Sequence, residues 1–188
     1  MKTILSFFFA GLSGLVLLFS PTLSAQSETD FPARTEWQEK WSNSLAYTLE
    51  ALALVPDSSL HYRPTDNQMS VHKQIQHISG NVYGLSRRFL DYEPADFDED
   101  ALQKLLAADE LNREELASLL TDAYAFGTAA VDHLSRESWE EMVPNFFAGP
   151  KRKRVIVYLL QDHATHHRAQ LLMYLRMLAI DPPHYRGW

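Results

Sequence analysis

The sequence predicts an all-α protein: a four-helix bundle with a short extra helix between the second and third long helices. Three observations carry this. Four segments place apolar residues at alternating spacings of three and four, the signature of one buried helical face. Helix-starting patterns stand at or near the beginning of three of them. No segment sustains the period-two alternation of a half-buried strand, so strands are not expected.

The chain has 188 residues, and the first of them read as an address rather than as structure. Lys2 precedes the apolar run "ILSFFFAGLSGLVLLF", followed by Ser20, Pro21 and the small-residue stretch "TLSA". This is the pattern of a secretory signal peptide over residues 1–25, cut after Ala25. The run is interrupted by Ser and Gly and falls short of the roughly 20 apolar residues a membrane span needs. No later segment is apolar enough to span, so the expected product is exported, to the periplasm or beyond the cell, with no stable membrane span once the leader is gone. Residues 26–33 read as a flexible lead-in and residues 34–188 as the bundle.

The first long helix is predicted from Thr35 as N-cap, with Gln38 completing a capping box. Trp37, Trp41, Leu45, Leu49 and Leu52 form its stripe, and Pro56 ends it. The two tryptophans are expected in the core or in a homodimer contact. The second helix starts at Ser70 and buries Val71, Ile75, Ile78, Val82, Leu85 and Phe89. After it comes an acidic loop, "DYEPADFDED", which lacks the glycine and ligand spacing of a calcium loop and reads as solvated surface. The short helix follows at "ALQKLLAAD". The third long helix starts at Asn112, with Glu115 completing a capping box, and carries Leu116, Leu120, Ala123, Gly127, Ala130 and Leu134. A Pro- and Gly-punctuated connection, "ESWEEMVPNFFAGP", then leads to a fourth helix from about Arg154 to Leu178. Within that connection "NFFAG" reads as a lid or an apolar plug. The basic run Lys151 to Arg154 reads as a solvated stretch, or as a lure for an anionic substrate.

Composition bounds the function. The formal net charge is −7, which excludes a non-specific nucleic-acid binder, since that needs a basic surface to replace counterions. There is no cysteine, so no disulfide framework, no thiolate ligand and no cysteine nucleophile is available. Any metal must be held by His, Asp, Glu or Asn.

The fourth helix holds the strongest chemical signal, three histidines in "HATHH". Ile156, Leu160, His163, His167, Leu171, Tyr174 and Leu178 form one inward stripe, with two imidazoles in its middle. At roughly 100° per residue, His167 lies near the centre of the stripe, His163 within about 40° of it, and His166 about 100° away on the flank. A pair at i, i+4 can converge on one ion. Zinc proteases share that spacing but need Glu directly after the first His, and here Ala164 follows. Two imidazoles in an apolar seam require a partner, either a metal or a hydrogen-bonded network. Asp162 and Gln170 border the face; Asp162 reads as ordinary surface, Gln170 as a group able to orient an imidazole. A third ligand must come from another helix, and His72, His77 and His133 are the candidates. Periodicity does not choose His77 over His72. His61, His133 and His184 fall near helix ends or tails.

The residues "VPDSSLHYRPTDNQMSV", "QHI" and "HATHHRAQLLMYLRMLAIDPPHY" together resemble the DinB-like superfamily, which includes the YfiT-like metalloenzymes. The resemblance covers essentially the whole chain after the leader. It implies an up-down-down-up bundle and a divalent metal (zinc, nickel, iron or manganese) held by His77, His163 and His167. It also implies a metal-dependent enzyme, hydrolase-like, acting on a small molecule. The alternatives are a thiol-dependent transferase of the same family, which export disfavours, and a metal- or ligand-binding envelope protein without catalysis. Two departures, Ala169 and Ala179, stand where the family usually has glycine, and both concern packing and turn geometry rather than ligation.

Overall fold

The structure, a computed structural model, describes residues 31–186. The expected leader and residues 26–30 of the lead-in lie outside the described residues. Five α-helices follow in chain order: α1 (Pro32–Ala53), α2 (Val71–Phe89), α3 (Glu99–Ala107), α4 (Arg113–His133) and α5 (Lys153–Met177). The four long ones make the bundle. α1 packs against α4 and α5, and α2 packs against the same two. Chain neighbours α1 and α2 thus stand across the core from each other, as do α4 and α5, and the long connections 54–70 and 134–152 span those diagonals. No helix among the described residues is long and apolar enough to cross a membrane.

Two helix starts match the sequence reading closely. Ser70 accepts a hydrogen bond from the Lys73 N–H at the start of α2. Asn112 and Glu115 form the reciprocal capping box of α4, satisfying two otherwise orphaned donors. The first helix is a correction. It starts at Pro32, ahead of Thr35, and its N-cap residue Phe31 offers no side-chain bond. Proline at N1 fixes φ where an N–H would go unused. Phe31 is anchored edge-on against Trp139, 4.7 Å between ring centroids. Thr35 and Gln38 are therefore interior helix residues, and Pro32 and Ala33 belong to the helix rather than to a lead-in.

The expectation of no strands is also corrected. Met142–Val143 (β1) and Lys151–Arg152 (β2) pair antiparallel, with Met142 opposite Arg152 and Val143 opposite Lys151. Two-residue strands are too short to show a period. The side chains of the basic run at this ribbon are engaged with the protein itself. Buried Lys153 places its Nζ 2.8 Å from Asp91 and 2.6 Å from Glu141, and Arg154 reaches Glu140 at 2.7 Å. These contacts tie the start of α5 to β1 and to the end of α2.

Trp37 and Trp41 are core residues. Their rings stack 5.0 Å apart, and Trp41 stacks on Tyr124 at 4.0 Å. Each indole N–H is satisfied by a backbone carbonyl of a facing helix, Val157 and Tyr124, both at 3.0 Å. Room for the Trp41 ring comes from Gly127, where a Cβ would stand 2.9 Å from Val82 Cγ1 and 3.2 Å from Trp41 Cζ2. Arg168 donates to the Ser44 hydroxyl and lies over the Tyr47 ring, 5.3 Å from its centroid.

At its far end α5 closes with Ala179 at φ 58°. The Ile180 N–H returns to the Leu175 carbonyl at 2.9 Å and the Ala179 N–H to Arg176 at 3.0 Å, the two bonds of a Schellman close.

Candidate metal centre

α2 presents His77 and α5 presents His163 and His167 to one point. One ring nitrogen from each lies within 4.8 Å of the others. His163 Nε2 stands 3.1 Å from His77 Nε2. Two imidazole nitrogens that each bind one ion at about 2.0–2.1 Å are separated by about 3.0–3.4 Å, so the observed spacing fits a shared ion. Ring centroids are 4.4 Å apart for His163–His167, 4.9 Å for His77–His163 and 4.5 Å for His77–His167. Among the described residues no carboxylate joins this cluster.

A hydrogen-bonded relay sets the tautomer of His167. Gln74, fully buried on α2, places Oε1 2.6 Å from His167 Nδ1. Its amide nitrogen donates to Gln170 Oε1 at 2.7 Å and to the Tyr174 hydroxyl at 3.2 Å. Tyr174 in turn donates to the Met69 carbonyl at 3.1 Å. With the Gln74 nitrogen spent on acceptors, its oxygen must accept, so His167 carries its proton on Nδ1. The Nε2 lone pair is thereby freed for a ligand role, the usual arrangement behind metal-binding histidines.

The electrostatics favour neutral, ligating rings. Burial pushes the His163 pKa down to about 3, helped by the neighbouring imidazoles His167, His77 and His166. Burial, with His77 and His166 nearby, lowers His167 to about 4. His77 is lowered by burial and by His166. Protons therefore do not compete with a metal near neutral pH.

The other candidates fall elsewhere. His72 is buried, stacked on His61 at 5.2 Å between centroids, and does not enter the cluster. His133 is exposed beside Tyr92, 5.9 Å between centroids. His166 is exposed on the flank, as the angular reading expects, with Gln170 Nε2 2.8 Å from its Nε2. Asp162 is exposed. Gln170 reaches His167 only through Gln74. Sequence reading missed Gln74 itself, and the available signal was its position three residues before His77, on the same side of α2. It also missed the Tyr174 hydroxyl, which entered the stripe only as an aromatic.

The DinB family model matches residues 27–186. Crystal structures of the same architecture include a DinB-like protein from Bacillus subtilis (TM-score 0.60, 15% identity, 80% of this chain and 97% of that one). A DinB-like protein from Bacillus cereus aligns with TM-score 0.62 at 15% identity, over 80% of this chain and 96% of that one. YfiT from Bacillus subtilis, reported as a probable metal-dependent hydrolase with an unusual four-helix bundle topology, aligns with TM-score 0.62 at 18% identity, over 87% and 95%. At these identities the likeness is one of fold. No curated protein matches the chain.

Proposed function

The chain belongs to the DinB family, and from that premise we propose that it is a metal-dependent enzyme of hydrolase type, with one divalent ion held by His77, His163 and His167. The observation that carries the reading is the convergence of three neutral imidazole nitrogens within 4.8 Å, one of them locked in tautomer by Gln74. Three imidazoles with open positions make a catalytic type of centre rather than a closed structural one. An ion bound there supplies Lewis-acid activation of water or of a substrate oxygen. The report on YfiT as a probable metal-dependent hydrolase supports the same reaction class.

The chain's own residues do the positioning. Gln74 holds the proton on His167 Nδ1. Burial keeps His163 and His167 uncharged. Beside these three rings stands His166, whose ring lies 4.9 Å from that of His167. Gln170 turns its oxygen to Gln74 and so its amide N–H to His166 Nε2, which fixes the orientation of that ring.

The leader-like segment and the acidity of the chain support two further parts of the proposal. The protein works outside the cytoplasm, and its partner is a small molecule rather than nucleic acid. The test is a panel of ester, amide and phosphoester substrates assayed with the purified protein. Turnover that disappears with chelator and returns with one divalent ion is the expected result. Turnover indifferent to chelator would refute the reading.

A further inference from the structure

A cleft of about 650 Å³ runs along α2, and His77 is part of its lining. Its size suits a small-molecule site, typically about 300–1,000 Å³. Lys73, His77, Gly80, Gly84 and Arg88 recur along it every three or four positions, so they form one stripe of the helix. At 1.5 Å rise per residue, Arg88 lies about 16 Å along the axis from His77.

The opposite wall is built from α3 and the 145–149 loop. Gln76, buried, donates its amide to the Leu105 and Ala108 carbonyls at 2.8 and 2.7 Å, which holds the end of α3 against α2. Leu106 then stands 3.2 Å from where a Gly80 Cβ would be. Phe147, 74% exposed, overhangs the cleft beside Phe89. At Gly84 a Cβ would meet nothing within 4 Å, so the space above that glycine is open cleft.

Charge distinguishes the two ends. Lys73 is neutralised by Asp109 at 2.8 Å. Arg88 makes no ion pair or hydrogen bond among the described residues, and neither Asp nor Glu lines the cleft. In a chain of net charge −7, an apolar groove with an uncompensated guanidinium at its end is specific for the opposite sign.

We propose that this cleft is the substrate site and that the substrate is an extended apolar chain with an anionic head. The head meets Arg88. The apolar body lies over Gly80 and Gly84, between Leu106 and Phe147. The reacting end reaches His77. The assignment of the reacting end rests on the metal reading above; the assignment of the head to Arg88 does not.

Dodecanoate and dodecyltrimethylammonium share one chain and carry opposite heads. Each is titrated calorimetrically into the purified protein, as isolated and after chelator treatment. Dodecanoate should bind about tenfold tighter or more in both states, the worth of a charge-assisted contact. Arg88→Gln should erase that preference. Gly84→Leu should fill the cleft and abolish binding of both probes while melting no lower than the wild type, since leucine favours the helix over glycine. Equal affinity for the two heads, or unchanged binding in Gly84→Leu, overturns the proposal. So does an anion preference that appears only with metal and survives Arg88→Gln, which would put the head on the ion. Failure of the metal reading looks different: no ion is found, yet the Arg88-dependent preference persists.

Discussion

Gln74 makes a sharp claim at the scale of a single residue. Groups that orient a ligating histidine typically account for about 10–100-fold in metal affinity. Gln74→Leu removes the acceptor from His167 Nδ1 at nearly constant volume. Competition with a chromophoric chelator should show the ion held about 10–100-fold more weakly, with the helical circular dichroism kept. Undiminished affinity would reduce Gln74 to packing. Titration gives a second expectation at this scale. His163 and His167 are lowered to about 3 and about 4, and His72 and His77 are lowered as well, in each case first by burial. In the unfolded chain all four take protons near about pH 6.5. Between about 6.5 and about 4 the unfolded state therefore binds more protons, and stability rises with pH. The denaturation midpoint of metal-free protein should fall as pH drops through that window. It should fall less steeply in His163→Asn. Equal slopes for the two proteins would contradict the burial of these rings in the neutral state.

Two element-level positions make opposite predictions about glycine. At Gly127, in the interior of α4, alanine would raise helix propensity, but its methyl group would press on Val82 and Trp41. Overpacking should win, with Gly127→Ala costing about 1–3 kcal/mol in urea unfolding. At Ala179 the backbone is left-handed, a conformation that costs a non-glycine residue roughly 1–2 kcal/mol. Ala179→Gly should stabilise by up to about 1 kcal/mol, because the added freedom of glycine in the unfolded chain offsets part of the relief. A loss of stability on that substitution would mean that the Schellman close of α5 is held by something other than its backbone. Both glycine-related features were visible in the sequence as residues without a reason. Gly127 stood in an apolar stripe, and Ala179 was a departure from the family pattern. Only the tertiary contacts and φ give the reason.

Across the whole molecule, legibility followed the length of the pattern. The four long helices, the short helix on α2, and the starts at Ser70 and Asn112 were readable because each rests on many residues or on a specific capping chemistry. The start of α1 was misread because Phe31 is anchored by Trp139, a contact distant in sequence. The β1–β2 ribbon was invisible because two residues carry no period. At the site, the angular argument placed His163 and His167 inward and His166 on the flank. The choice of His77 over His72 came from family resemblance, and the structure supplies its physical basis: His77 faces α5, while His72 stacks on His61. The Gln74 relay left only one trace, its position three residues before His77, and that spacing does not name His167 as its partner.

The central claim is that His77, His163 and His167 form one metal centre. Elemental analysis of the purified protein, beside a folded His163→Ala/His167→Ala variant, tests it most directly. About one divalent ion per chain in the wild type, since three imidazoles suit a single open site, and none in the double variant is the predicted result. Equal metal content in the two proteins would contradict it.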